Sequence, residues 1–277
     1  MVRRFWSSND FDSVLYHPSF RNISALTLLV RVHLNAFNPS QPGKKEEQFF
    51  RRDSANPNTG KMFTFLRWQP KEWEDYKAGY KREVEYYLNW PIMGLWLRPD
   101  SLGREESHAE LREFKSDHPL SPRFGAVVQC GVSITLVDKP EQSHVSYDVL
   151  RLKDGQPKFR AYDINDFNAR DTGMITNQSL QSWPPPSGTL PHSTVAHEFG
   201  HSLNLDHSNI NDPRCVQGGE RICYGAPGSP QSRNLMGRGW EITKANALPW
   251  LRAIYRHSRE LLWYATDQLP METHMLR

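Results

Sequence analysis

The sequence predicts an α+β fold, and three observations carry that reading. Apolar and polar residues alternate over 26–35 and again over 128–136, the period of strands with one buried side. Between them, Trp73, Tyr76, Tyr80, Val84 and Tyr87 recur at spacings of three and four, the stripe of an amphipathic helix over 71–89. The order is strand, helix, several strands and then a second helix, not the regular strand–helix alternation of a parallel α/β sheet.

Taken in order, the chain opens Met-Val-Arg-Arg-Phe-Trp-Ser-Ser-Asn-Asp, two arginines with no apolar stretch behind them, so no signal peptide is expected. The first clear strand places Leu26, Leu28, Val30, Val32 and Leu34 on one face. Residues 38–70 contain Asn-Pro, Pro-Gly, Asn-Pro-Asn and Thr-Gly and read as a long loop or insertion. The aromatic stripe of 71–89 reads as core packing, and Pro91 ends that helix. Ile92 to Leu97 is a short apolar strand, and the polar stretch 99–122 is expected to be helical around Glu105 to Phe114. Val128, Cys130, Val132, Ile134 and Leu136 form the second alternating strand. A turn over Asp138 to Ser143 leads to a third strand near Val145 to Leu152, and a fourth, shorter one lies around Met174 to Thr176. Pro184-Pro185-Pro186, followed by Ser187-Gly188, forbids regular structure and isolates what comes next.

Composition excludes several function classes. Hydrophobic residues at 38% and aromatics at 12% describe a globular chain, and 277 residues suffice for one large domain or one domain with two lobes. The net charge of +3, with basic and acidic side chains interspersed, argues against a nucleic-acid partner. The longest apolar run, Ala25 to Val30, is too short to enter a bilayer, so no membrane insertion is expected. The chain reads as soluble, with its compartment open between the cytoplasm, a processed mature form and export by a leaderless route. Cys215 and Cys223 share one loop-like stretch and either pair or stay free, while Cys130 reads as a buried strand thiol.

The chemistry is concentrated in residues 193–207, Ser-Thr-Val-Ala-His-Glu-Phe-Gly-His-Ser-Leu-Asn-Leu-Asp-His. Ser193 suits a helix N-cap, and Val195, Ala196, Phe199 and Leu203 give the turns that follow a buried side. On that helix His197 and His201 share a face, about 6 Å apart along the axis, so that two imidazoles can converge on one tetrahedral ion. Glu198 is rotated off the ligand position and is placed to take a proton from water in the open site. A straight helix would carry His207 away, so the chain must stop and turn first. Asn204 stands where a residue tolerant of the left-handed conformation is needed, and Leu205-Asp206 lead back to His207. A chance His-Glu-x-x-His with a further histidine six residues on is expected in roughly one sequence per thousand of this composition.

His197-Glu198-x-x-His201-x-x-Asn204-x-x-His207 resembles the metzincin zinc-peptidase signature H-E-x-x-H-x-x-G-x-x-H, with asparagine in place of the usual glycine. The resemblance implies one Zn2+ per chain on His197, His201 and His207, with Glu198 as general base. It also implies a methionine turn beneath the metal, and Met236 in Asn234-Leu235-Met236-Gly237, 29 residues after His207, is the candidate. The family architecture is a twisted mixed β-sheet with two main helices in an upper lobe and a small, loop-rich lower lobe with a C-terminal helix. Carried onto this chain, residues 1–277 form a single catalytic domain, with the upper lobe over about 20–204 and the lower over about 205–277. The last helix then starts near Thr243 and runs through Leu248, Leu251, Ile254 and Tyr255, with Pro249 in an early turn or at a kink. Where several family members have a tyrosine two residues after the turn methionine, this chain has Arg238, so no tyrosine ligand is carried over.

The function expected is therefore zinc-dependent endopeptidase action on a protein or peptide substrate. Two alternatives share the residues: a zinc hydrolase of a non-protein amide such as a cell-wall crosslink, and a zinc-stabilised binding module without turnover. Retention of Glu198 argues against the last, because a closed structural site needs no base. Asp206 as a ligand in place of His207 has the wrong offset, His192 is expected in the substrate-side loop, and His33 and His144 read as ordinary surface or core histidines. Cleavage specificity and oligomeric state have no signature in this sequence.

Overall fold

A computed structural model describes residues 2–17, 23–52, 60–89, 94–97, 126–156, 173–180, 192–209, 212, 215, 220–258 and 263–266. Among the described residues the strands form one open, mixed, ten-stranded sheet. Its main path runs β10 (Trp263–Thr266), β6 (Gly94–Leu97), β7 (Ala126–Val137), β3 (Ile23–Phe37), β8 (Val145–Leu152), β5 (Gly60–Leu66), β4 (Glu46–Arg52), with β2 (Asp12–His17) on β3, β1 (Val2–Trp6) on β2 and β9 (Gly173–Thr176) on β8. Two compact units divide the chain, Met1–Val30 with Glu85–Ser133 and Leu203–Arg277, and Arg31–Val84 with Ile134–Ser202.

In the first unit, β1 (Val2–Trp6) and β2 (Asp12–His17) form an antiparallel hairpin, Val2 opposite His17. β2 continues antiparallel onto the first half of β3 (Ile23–Phe37), Asp12 opposite Leu29. The alternation of β3 marks one covered face of the sheet, since Leu26, Leu28, Val30, Val32 and Leu34 are all buried. Neither β1, β2 nor β10 (Trp263–Thr266) is signalled by alternation in the sequence. β6 (Gly94–Leu97) lies between β10 and β7 (Ala126–Val137), antiparallel to both.

The second unit holds the other half of β3, which pairs in parallel with β8 (Val145–Leu152), Val32 opposite Val145. β9 (Gly173–Thr176) adds in parallel to β8. Residues 38–70, expected as a loop, instead contain an antiparallel hairpin of β4 (Glu46–Arg52) and β5 (Gly60–Leu66), and β5 pairs with β8 through Phe65 opposite Leu152. Its buried face is short: Phe63 and Phe65 join Leu150 and Leu152 in a small core, while Phe50 and Met62 stay exposed. Contacts distant in sequence therefore make this hairpin, which local turn chemistry conceals.

α1 (Pro70–Asn89) follows the aromatic spacing, burying Tyr76, Tyr80, Val84 and Tyr87. The short α3 (Glu220–Cys223) and α4 (Pro230–Arg233) lie in the C-terminal part, after α2, the helix of the candidate site (Thr194–Ser202). The last helix, α5 (Leu248–Ser258), starts five residues later than expected. Thr243 instead caps a separate turn over Lys244–Asn246, where Asn246 Oδ1 accepts from the Thr243 N–H at 3.0 Å. Pro249 then falls in the first turn of α5, where its missing N–H leaves no helix bond unmade. Trp250 is fully buried and its indole N–H donates to the Gly131 carbonyl at 2.9 Å, fastening α5 to β7. The helix expected over Glu105 to Phe114 and the triple proline lie outside the described residues. Among the described residues no helix is long and apolar enough to cross a membrane.

Candidate metal centre

Helix α2 is built from its cap inward. Ser193 Oγ accepts from the Ala196 N–H at 3.1 Å, and the Ser193 carbonyl accepts the first helical bond from the His197 N–H at 3.0 Å. The same hydroxyl donates to the buried carboxylate of Glu83 on α1. That places an acidic side chain beside the helix N-terminus, the end at which the macrodipole favours one. Val195, Ala196, Phe199 and Gly200 are buried, so the helix has little freedom to roll. At its other end the Tyr147 hydroxyl lies 2.5 Å from the Ser202 hydroxyl and 3.4 Å from the Glu198 carbonyl oxygen. β9 reaches Tyr147 only because Gly173, its register partner, has no side chain: a Cβ there would run into the Tyr147 ring.

Past Ser202 the helix stops at Asn204, whose φ is 60°, and it is alone among described non-glycine residues in having positive φ. This is the left-handed residue that the spacing demands, supplied by an amide side chain in place of glycine. The reversal buries Leu205, exposes Asp206 and brings His207 back. Ligand atoms of His197, His201 and His207 all lie within 4.8 Å of one another. Donors on one tetrahedral zinc, each 2.0–2.1 Å from the ion, stand about 3.4 Å apart, so the set needs only small ring adjustments to close on it. Three neutral imidazoles are a suitable donor set for zinc, and the group contains no carboxylate or thiol. Asp206 is outside this group.

The rings of His197 and His201 stand edge to face with centroids 4.9 Å apart, and His192 packs against His197 at 5.1 Å. Glu198 is buried, and desolvation pushes its carboxyl up to about 8. A nearby divalent cation acts in the opposite direction, favouring the carboxylate.

Met236 is completely buried. Its turn is held by Asn234, whose side-chain oxygen accepts from the Met236 N–H at 2.8 Å while its NH2 reaches Thr243 Oγ1 at 3.0 Å and Asn246 Oδ1 at 2.7 Å. The Met236 carbonyl accepts from the N–H of Ser208, the residue after His207, at 3.0 Å. Gly237 is needed for this approach, since a Cβ there would meet the Gln231 carbonyl, Ser208 Oγ and the Tyr224 carbonyl.

The open question of Cys215 and Cys223 is settled as a disulfide, with Cα atoms 4.8 Å apart. Cys130 is a buried free thiol, and desolvation pushes it well above its ordinary range, as befits a core residue and not a nucleophile. Arg238 is exposed, and His144 is a structural residue whose Nδ1 accepts from the Arg31 N–H at 3.0 Å. Sequence reasoning missed Tyr147, Asn234 and Tyr224, the last of which packs its ring 4.5 Å from that of His207. Only Asn234 had a local signal, as a turn-forming asparagine two residues before Met236. No protein-family model, no curated protein and no solved structure matches this chain.

Proposed function

We propose that this chain is a zinc-dependent endopeptidase of the metzincin type. The observation that carries the reading is the convergence of His197, His201 and His207 through a left-handed Asn204, because a generic two-histidine zinc helix has no need of that reversal. His197 and His201 from α2 and His207 from the returning chain would hold the ion. Zinc, when bound, supplies a Lewis-acid charge that polarises a carbonyl and acidifies water. Glu198 then takes the proton of the attacking water and delivers it to the departing amine, which requires a carboxylate with a raised proton affinity. Burial raises that affinity, and the cation, when bound, would lower it again. Met236 would serve as the turn methionine, its carbonyl holding the N–H of Ser208, the residue after His207.

The test is unbiased mapping of new N-termini in a whole-proteome digest, wild type against Glu198→Ala. The reading expects a set of neo-N-termini present with the wild type and missing with the variant. Identical sets from the two proteins would overturn peptidase action, and release of amide fragments only from non-protein polymers would move the assignment to the alternative hydrolase.

A further inference from the structure

We propose that the Cys215–Cys223 disulfide and the tyrosine that follows it form a clamp holding His207 in ligand position, an inference that rests on the three-histidine reading. Helix α2 carries His197 and His201 but ends at Ser202, five residues before His207. The segment after His207 is tied down by bonds of its own. Ser208 is tied to the methionine turn through its N–H on the Met236 carbonyl, and its hydroxyl donates to the Gln231 carbonyl at 2.8 Å. Asn209 is tied twice to the end of α3: its N–H donates to the Cys223 carbonyl at 2.9 Å, and its side-chain NH2 donates to the Ile222 carbonyl at 2.8 Å.

Those two carbonyls are held in turn by the cross-link. The Asp212 N–H donates to the Asn209 carbonyl at 3.1 Å, the Cys215 N–H donates to the Asp212 carbonyl at 2.8 Å, and Cys215 is bonded to Cys223. The path from Asn209 through Cys215 and Cys223 back to Asn209 is therefore a closed ring of hydrogen bonds and one covalent bond. Tyr224 comes next and lays its ring 4.5 Å from that of His207, tilted by 59°. Gly225, at φ 82°, then turns the chain back, with its N–H on the Ile222 carbonyl at 3.1 Å. The ring contact limits rotation of the imidazole, and the ring of bonds limits movement of the backbone two residues beyond it. Tyr224 is thus a positioning residue that acts through His207.

The experiment titrates Co2+ and Zn2+ into the metal-free full chain, for wild type, Tyr224→Ala, Tyr224→Phe, the double variant Cys215→Ser/Cys223→Ser, and His207→Ala. Far-UV circular dichroism checks folding of each. Supporting residues around metal ligands are worth about 10–100-fold in affinity. Tyr224→Ala and the double serine variant should bind the metal about tenfold or more weakly. Their visible Co2+ absorption should shift toward that of His207→Ala, which a merely structural loss would not cause. Tyr224→Phe keeps the ring and should keep wild-type affinity and spectrum. Wild-type affinity and spectrum in both Tyr224→Ala and the double serine variant would overturn the clamp. If the double variant does not fold, the Tyr224→Ala and Tyr224→Phe pair decides. A wild type that takes up neither ion overturns the three-histidine reading itself, an outcome distinct from metal binding that ignores the clamp.

Discussion

Asn204 sits at φ 60°, a conformation that costs an ordinary side chain about 1–2 kcal/mol and that asparagine tolerates through its short amide. Asn204→Gly should therefore leave metal affinity at or slightly above wild type. Asn204→Val must strain the reversal, by roughly 1–2 kcal/mol or more, and loosen His207 without touching a ligand. Competition titration of Zn2+ should rank wild type close to Asn204→Gly, with Asn204→Val weaker and His207→Ala weaker still. Asp206, which is exposed, should be replaceable by alanine with little effect; loss of metal from Asp206→Ala alone would place the third ligand wrongly. Glu198→Gln separates chemistry from binding. It should fold, hold metal and lose peptide cleavage by about two to four decades, the usual share of a positioned acid–base group. At this scale most of the site was readable from the sequence, because His197, Glu198, His201, Asn204 and His207 lie within one helix and its reversal. Tyr224 and Asn234 were not readable as partners: what they touch is fixed by how separate turns pack, which no local spacing encodes.

The helix that presents the site is held at both ends, by Ser193 on Glu83 and by Ser202 on Tyr147. Ser193→Ala removes an N-cap and leaves the buried Glu83 carboxylate without that hydroxyl donor. Loss of a cap alone typically costs about 1 kcal/mol. The variant's urea midpoint should fall accordingly with its m-value unchanged, whereas Thr194→Ser, one residue into the helix, should not move it. An unshifted midpoint in Ser193→Ala would show that the cap contributes nothing to the fold. The same contrast between local and distant causes explains which elements the sequence revealed. β3, β7, β8 and α1 each bury four or more side chains, and so declare their period. Among the described residues the β4–β5 hairpin buries only Phe63 and Phe65, and it pairs through β8, while Val2-Arg3-Arg4-Phe5-Trp6 of β1 has no alternation at all. α5 began late because a capping turn and a proline outrank helix period at its start.

At the scale of the whole molecule, a metal held only by the folded chain is a contribution to stability. The three imidazoles meet only after α2, the Asn204 reversal and the methionine turn have formed, so an unfolded chain offers no equivalent site. Binding to the native state alone stabilises by RT ln(1 + [L]/Kd), about 2.7 kcal/mol when free metal is a hundredfold above Kd. For a chain of 277 residues, each kcal/mol corresponds to roughly 2–4 °C in Tm, so chelation should lower the melting temperature by about 5–10 °C. The size of the drop should grow with the logarithm of the zinc concentration removed. Glu198→Gln must retain the full shift, since it removes no ligand, while His201→Ala must abolish it. His207→Ala, which like His201→Ala leaves two imidazoles, should also lose the shift or most of it. Scanning calorimetry with and without a strong chelator measures all four proteins on the same footing. A wild type whose Tm ignores both zinc and chelator, while the histidine variants melt where it does, would mean that the three histidines gather for packing and not for a metal.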